Sequence, residues 1–122
     1  MKIIKISKVL DPSTIVKVKL CETFWSKFIG LMFSKEIKST CGIVLVESYE
    51  SKLNTSIHML FMNYDITVLW LNQQKVIVDK VLAKKWSPFY IPKKPAQYVV
   101  ELHPSKFSEY SVGEQLAFLN EE

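Results

Sequence analysis

Four side chains in this chain have the types and spacing that acid-base or metal chemistry would use: His58, Asp65, Glu101 and His103. A histidine titrates near neutrality, and Asp65 lies just past the turn that follows His58, so the two could meet as a proton-transfer pair. The competing reading has His58 filling the rim of the core while Asp65 accepts backbone N–H groups and ties down the turn, and it is favoured. Glu101 and His103 are two apart, so on a continuing strand they share a face. With His58 they would supply two imidazoles and a carboxylate to a metal. No His-Glu-x-x-His pattern accompanies them, and Cys21 and Cys41 follow no Cys-x-x-Cys spacing, so neither a metal nor another cofactor is expected. Neither cysteine, nor any serine, sits in a nucleophile-elbow or triad setting. Three glycines are too few to build a phosphate loop, which argues against nucleotide hydrolysis.

A second constellation is physical rather than catalytic. Residues 80–95 carry Lys80, Lys84, Lys85, Lys93 and Lys94, interleaved with Trp86, Phe89 and Tyr90 and stiffened by three prolines. Lysines can sit on phosphates and rings under bases, so this stretch could hold a single nucleic-acid strand. The plainer expectation is that its aromatics pack inward over an open end of the sheet while the lysines stay solvated. Charge singles the segment out. It has five of the 16 basic residues and no acid, so the other 11 against 12 acids leave the rest of the chain at −1 and the net +4 resides here. All 16 are lysine, which removes the bidentate guanidinium fork. Met32, Met59 and Met62 with Phe28, Phe33 and Phe61 read as core filling rather than as an adaptable binding surface.

The elements that would position these residues are mainly strands. Residues 3–9 and 15–20 alternate apolar with lysine around the turn former Asp11-Pro12-Ser13-Thr14, predicting a hairpin with one wet face. Residues 23–32 place Phe24, Phe28 and Leu31 on one helical stripe behind the capping Thr23. Residues 42–47 form a continuous apolar run suited to a strand covered on both faces. Residues 55–61, 65–71 and 76–82 predict three antiparallel strands in a meander, followed by strands at 97–102 and 115–119 with a helical turn at 104–110 between them. The resulting fold class is mainly β (α+β): a curled or barrel-like antiparallel or mixed sheet of about seven to eight short strands with one or two short helices. One domain over 1–122 fits the length, and 48% hydrophobic residues suffice for one core. No apolar run reaches bilayer-spanning length and no secretory signal is visible at the start, so the expected setting is cytoplasmic without membrane contact.

Three strings occur in an order that resembles a known family: Lys27-Phe28-Ile29-Gly30-Leu31-Met32-Phe33, then residues 57–66 (Ile57-His58-Met59-Leu60-Phe61-Met62-Asn63-Tyr64-Asp65-Ile66), then Ala96-Gln97-Tyr98-Val99-Val100-Glu101-Leu102. Together, over about residues 17–118, they resemble the uncharacterised family called domain of unknown function 192. Members typically have arginine at Lys27, proline at Tyr64 and Gly-Asp at Gly113-Glu114, while Gly30, Met32, Asp65, Glu101 and Gly113 match. The resemblance implies a compact, mainly β fold with a short helix after the first hairpin, and brings no agreed activity.

The function expected from all this is a non-catalytic binding module. Its cleft or rim would lie near His58, Asp65 and the loop of Trp86, Phe89, Tyr90, Lys84, Lys85, Lys93 and Lys94, and its partner would be a small ligand or a protein. The alternatives are an enzyme using His58 with Asp65 or Glu101 in acid-base work, and weak nucleic-acid binding through residues 80–95.

Overall fold

The computed structural model describes residues 2–22 and 35–120. The chain opens with the expected hairpin, β1 (Ile3–Lys8) and β2 (Asp11–Cys21). Alternation does the sorting: Ile4, Ile6, Val16 and Val18 are buried, and Lys17 and Lys19 lie outside. The turn itself is Val9-Leu10; Asp11-Pro12-Ser13-Thr14, expected as the turn, opens β2 instead, where Asp11 accepts from Ser13 N at 3.2 Å and Thr14 Oγ1 accepts from Lys8 N at 3.0 Å across the hairpin. β3 (Cys41–Ser51) runs parallel to β2, so the chain must cross over between them. The helix expected at 23–32, with Gly30, Met32, Phe28 and Phe33, lies outside the described residues.

β4 (Ile66–Leu71), β5 (Ile77–Ala83), β6 (Ala96–Leu102), a 3₁₀ turn (Pro104–Glu109) and β7 (Leu116–Asn120) complete a seven-stranded mixed sheet ordered β5-β4-β6-β3-β2-β1-β7. Gly42 is required where β3 meets β6: a Cβ there would come within 2.5 Å of the Glu101 carbonyl oxygen. All six residues of β4 are buried because both of its faces are covered. Leu69 and Leu71 face an inner cluster with Ile4, Ile6, Val18, Val44, Val100 and Leu116, around which the sheet curls. Ile66, Val68 and Trp70 face a second cluster with Ile57, Met59, Met62, Ala96 and Val99.

The sheet curls without closing into a barrel. Its two edges touch at a single bridge, Val76 with Gln115, supported by Ile77 N donating to Glu114 O at 2.9 Å and Gly113 N to Ile77 O at 2.8 Å. Three lysines bind across this seam. Lys80 Nζ donates to Phe107 O (2.9 Å) and Tyr110 O (2.8 Å) and lies over the Phe107 ring. Lys75 Nζ lies over Tyr98 and Phe118, and Lys8 Nζ pairs with Glu114 at 3.1 Å over Tyr110. Lys80 is therefore part of the seam, apart from the rest of its basic segment.

One expected strand is absent. Residues 55–61 contribute only the isolated bridge of Ile57 to Tyr90, so the expected meander is a β4–β5 hairpin. The reason is topological: β4 is already paired on both sides, to β5 and β6, and offers no edge to a third strand. The segment pairs instead with the proline-bearing loop, where Pro88 has no N–H to continue a ladder.

Candidate functional site

Residues 57–62 and 84–91 clasp each other over the second cluster. Ile57 N donates to Tyr90 O (3.0 Å) and Tyr90 N returns a bond to Ile57 O (2.9 Å). Met59 N donates to Ser87 O at 2.9 Å and Trp86 N to Met59 O at 2.8 Å. Beneath them Trp70 Nε1 donates to Thr55 O at 2.7 Å, fixing the start of the first segment to the sheet. Met59 and Met62 are buried as expected, and Tyr90 is half-buried with its hydroxyl accepting from Lys84 N at 3.0 Å.

Two bulky aromatic residues of the clasp have left-handed backbone, Phe61 at φ 63° and Trp86 at φ 65°. Such conformations are uncommon outside glycine and asparagine and each costs on the order of 1 kcal/mol. Their rings pair edge to face, centroids 5.2 Å apart at 64°, yet Phe61 is 43% exposed and Trp86 54% exposed. Phe89, also 54% exposed, and Leu60 extend the same kind of surface. Phe61 therefore corrects its assignment to the core. The inward packing expected of the loop's aromatics holds for Tyr90 and is reversed for Trp86 and Phe89.

Two aspartates pin the loop. Asp65 Oδ1 accepts from Lys85 N at 2.9 Å and Oδ2 from Lys84 Nζ at 3.4 Å, and the amide bond above all holds its carboxyl below the ordinary value. Asp79 accepts from Lys80 N and from Lys93 N, each at 2.9 Å. Lys84, Lys85, Lys93 and Lys94 are exposed. Asp79, the one acid of β5, whose only other polar residue is Lys80, is a site residue that the sequence pattern did not single out.

The four candidates for acid-base or metal chemistry occupy separate settings. His58 is half-buried, and its Nδ1 accepts from Leu60 N at 3.2 Å, while Asp65 is turned to the two lysines. His103 Nδ1 meets Ser105 Oγ at 2.8 Å and accepts from Ser105 N at 3.1 Å, capping the 3₁₀ turn. Glu101 lies within β6 between Val68 of β4 and Ile43 of β3, only 7% exposed. Among the described residues no donor reaches its carboxyl, and burial pushes its pKa up to about 7. Among the described residues no three His, Cys, Asp or Glu side chains are grouped to hold a metal, and no helix is long and apolar enough to cross a membrane.

The sequence model of domain of unknown function 192, described as "Uncharacterized ACR", matches residues 6–118. A UPF0127 protein of Thermococcus kodakarensis is 47% identical over 85 residues, which are 70% of this chain and 52% of that protein. A UPF0127 protein of Pyrococcus furiosus is 40% identical over 86 residues, 70% of this chain and 71% of that protein. The chain thus spans about half the length of the Thermococcus kodakarensis relative. Among solved structures, a Sinorhizobium meliloti protein provisionally described as a transcription regulator superposes with a TM-score of 0.82 at 16% identity, over 96% of this chain and 92% of that one. A protein of unknown function from Novosphingobium aromaticivorans superposes at 0.75 with 12% identity, over 94% and 83%. At these identities the likeness is one of fold.

Proposed function

The chain belongs to the uncharacterised family called domain of unknown function 192, and from that premise we propose that it is a non-catalytic binding module whose binding surface is the clasp of residues 57–62 and 84–91. The observation that carries this reading is the Phe61–Trp86 pair: two strained backbones hold two large rings in mutual contact and in solvent. Strain of this kind persists where surrounding structure over-determines it, and it concentrates at ligand contacts. The loop is tied by Asp65, Asp79, Tyr90 and the bonds to Met59, so a ligand meets a surface already in place and orders little on binding. Acid-base catalysis finds less support, because Asp65 is engaged by Lys84 and Lys85 and Glu101 lies between Ile43 and Val68 in the sheet.

An NMR screen of the full chain with small planar aromatic fragments tests the proposal. The expected result is clustered shifts at Phe61, Trp86 and Phe89 that disappear in Trp86→Ala. Shifts scattered over the sheet, or unchanged in Trp86→Ala, would refute it.

A second reading, binding of a single nucleic-acid strand, draws on the exposed Lys84, Lys85, Lys93 and Lys94 around these rings and on the description of the Sinorhizobium meliloti protein. It requires affinity for oligonucleotide that falls steeply with added salt.

A further inference from the structure

We infer that the clasp takes an extended acidic segment of a partner protein, with apolar side chains against Phe61, Trp86 and Phe89 and acidic side chains at the two lysine-bearing ends of the 84–95 loop. This rests on the binding reading above and adds to it the class of partner. Asp65 and Asp79 both commit carboxylate oxygens to backbone amides of the loop. Among the described residues, Lys84 alone of the loop also receives a carboxylate at its ammonium group. Lys85, Lys93 and Lys94 are exposed, and among the described residues no acid lies within ion-pair distance of them. The segment that supplies the chain's whole positive excess therefore keeps three of its charges for solvent or for a partner.

The spacing of these charges is also defined. Lys85 is tethered at Asp65 and Lys93 at Asp79. In the β4–β5 register Ile66 faces Ala83 and Trp70 faces Asp79, so the two tethers lie about five residue steps apart, on the order of 17 Å along the sheet. Between them the loop exposes Trp86, Phe89 and Ile91, while Tyr90 and Pro92 turn inward. The surface is thus positive, apolar, positive over a length that about five residues of extended chain would span. A complementary segment has acids about five positions apart around an apolar centre.

Ring geometry separates a protein partner from nucleic acid. Base stacking uses open ring faces, but Phe61 and Trp86 meet edge to face at 64°, a notch suited to an inserted side chain.

The test is an NMR titration of the full chain with octapeptides. One has glutamates at its second and seventh positions around leucine and phenylalanine; a second has the same composition with both glutamates adjacent at one end; a third has glutamine for glutamate. An eight-nucleotide oligothymidylate is the fourth probe. The inference expects the bracketed peptide to shift Phe61, Trp86, Lys85 and Lys93 and to bind about tenfold tighter than the glutamine peptide. It also expects the advantage over the clustered peptide to vanish in the Lys93→Gln, Lys94→Gln double variant. Equal affinity of bracketed and clustered peptides overturns it, as does tighter binding of the oligothymidylate. If aromatic fragments shift the clasp and no peptide does, the partner class fails while the binding surface stands. If neither does, both fail.

Discussion

The seam of the sheet and the clasp on its outer face use the same residue types to opposite ends. At the seam, Lys8, Lys75 and Lys80 each meet a ring, and Lys8 and Lys80 also reach backbone carbonyls or a carboxylate, so cation and aromatic complete each other inside one molecule. At the clasp, the rings of Phe61, Trp86 and Phe89 and the ammonium groups of Lys85, Lys93 and Lys94 face outward, although the backbone bearing them is tied by aspartates and ladder bonds. Exposure in a tethered loop differs from exposure in a loose one. A partner can use the first without ordering it. The seam, whose lysines are satisfied within the molecule, is the internal standard against which the exposed Lys85, Lys93 and Lys94 stand out.

Glu101 gives the sharpest contrast: it is a titratable group buried within the sheet, and among the described residues no donor reaches its carboxyl. Its pKa rises from the ordinary 4.5 to about 7 through burial alone. The folded state thus holds a proton that the unfolded state has released between those values. The stability this supplies is complete below about pH 4.5 and is lost as pH rises through about 7, a change of about 3 kcal/mol. The urea midpoint of the native chain is expected to fall between pH 5 and pH 8, and that of Glu101→Gln to lose most of this slope. A midpoint that rises over this interval would mean that a cation pairs with Glu101. The seam comes next. Lys80→Met removes the donor to two carbonyls and is expected to destabilise by about 2 kcal/mol, against less than about 0.5 for Lys94→Met, both from urea unfolding. Equal effects would erase the distinction between the two lysine groups.

Much of the frame was legible because it rests on local pattern. The alternation in β1 and β2, the strand expected at 65–71 and the Pro104 start of the 3₁₀ turn appear where residue period and turn chemistry put them, whereas the apolar run at 42–47, expected to be covered on both faces, buries only Ile43 and Val44 within β3, and it is β4 that is covered on both. Residues 55–61 satisfy the same local criteria and are not a strand, since pairing depends on a free edge and β5 and β6 occupy both sides of β4. The parallel pairing of β2 with β3 is likewise a property of the whole sheet. Of the candidate site, the basic aromatic segment stood out by composition, but what separates Lys80 from Lys85 is the position of Phe107 and Tyr110, far along the chain. Phe61 was misassigned because an aromatic beside two methionines has core composition, and no residue nearby signals a left-handed backbone that turns its ring outward.

That backbone sets the smallest effect, and the one that bears most directly on the clasp. Replacing Phe61 removes a ring contact whichever residue takes its place, at a loss of about 0.5–1.5 kcal/mol for an edge-to-face pair. Alanine keeps the left-handed strain, whereas asparagine tolerates that region and relieves much of it. Phe61→Asn is therefore expected to be more stable than Phe61→Ala by about 1 kcal/mol in urea unfolding, while both lose the fragment shifts at Trp86. If the two variants are equally stable, Phe61 carries no backbone strain, and the fold holds its ring outward at no energetic cost. If Phe61→Asn still shows the fragment shifts, Trp86 and Phe89 form the surface without it, and the binding surface contracts to residues 84–91.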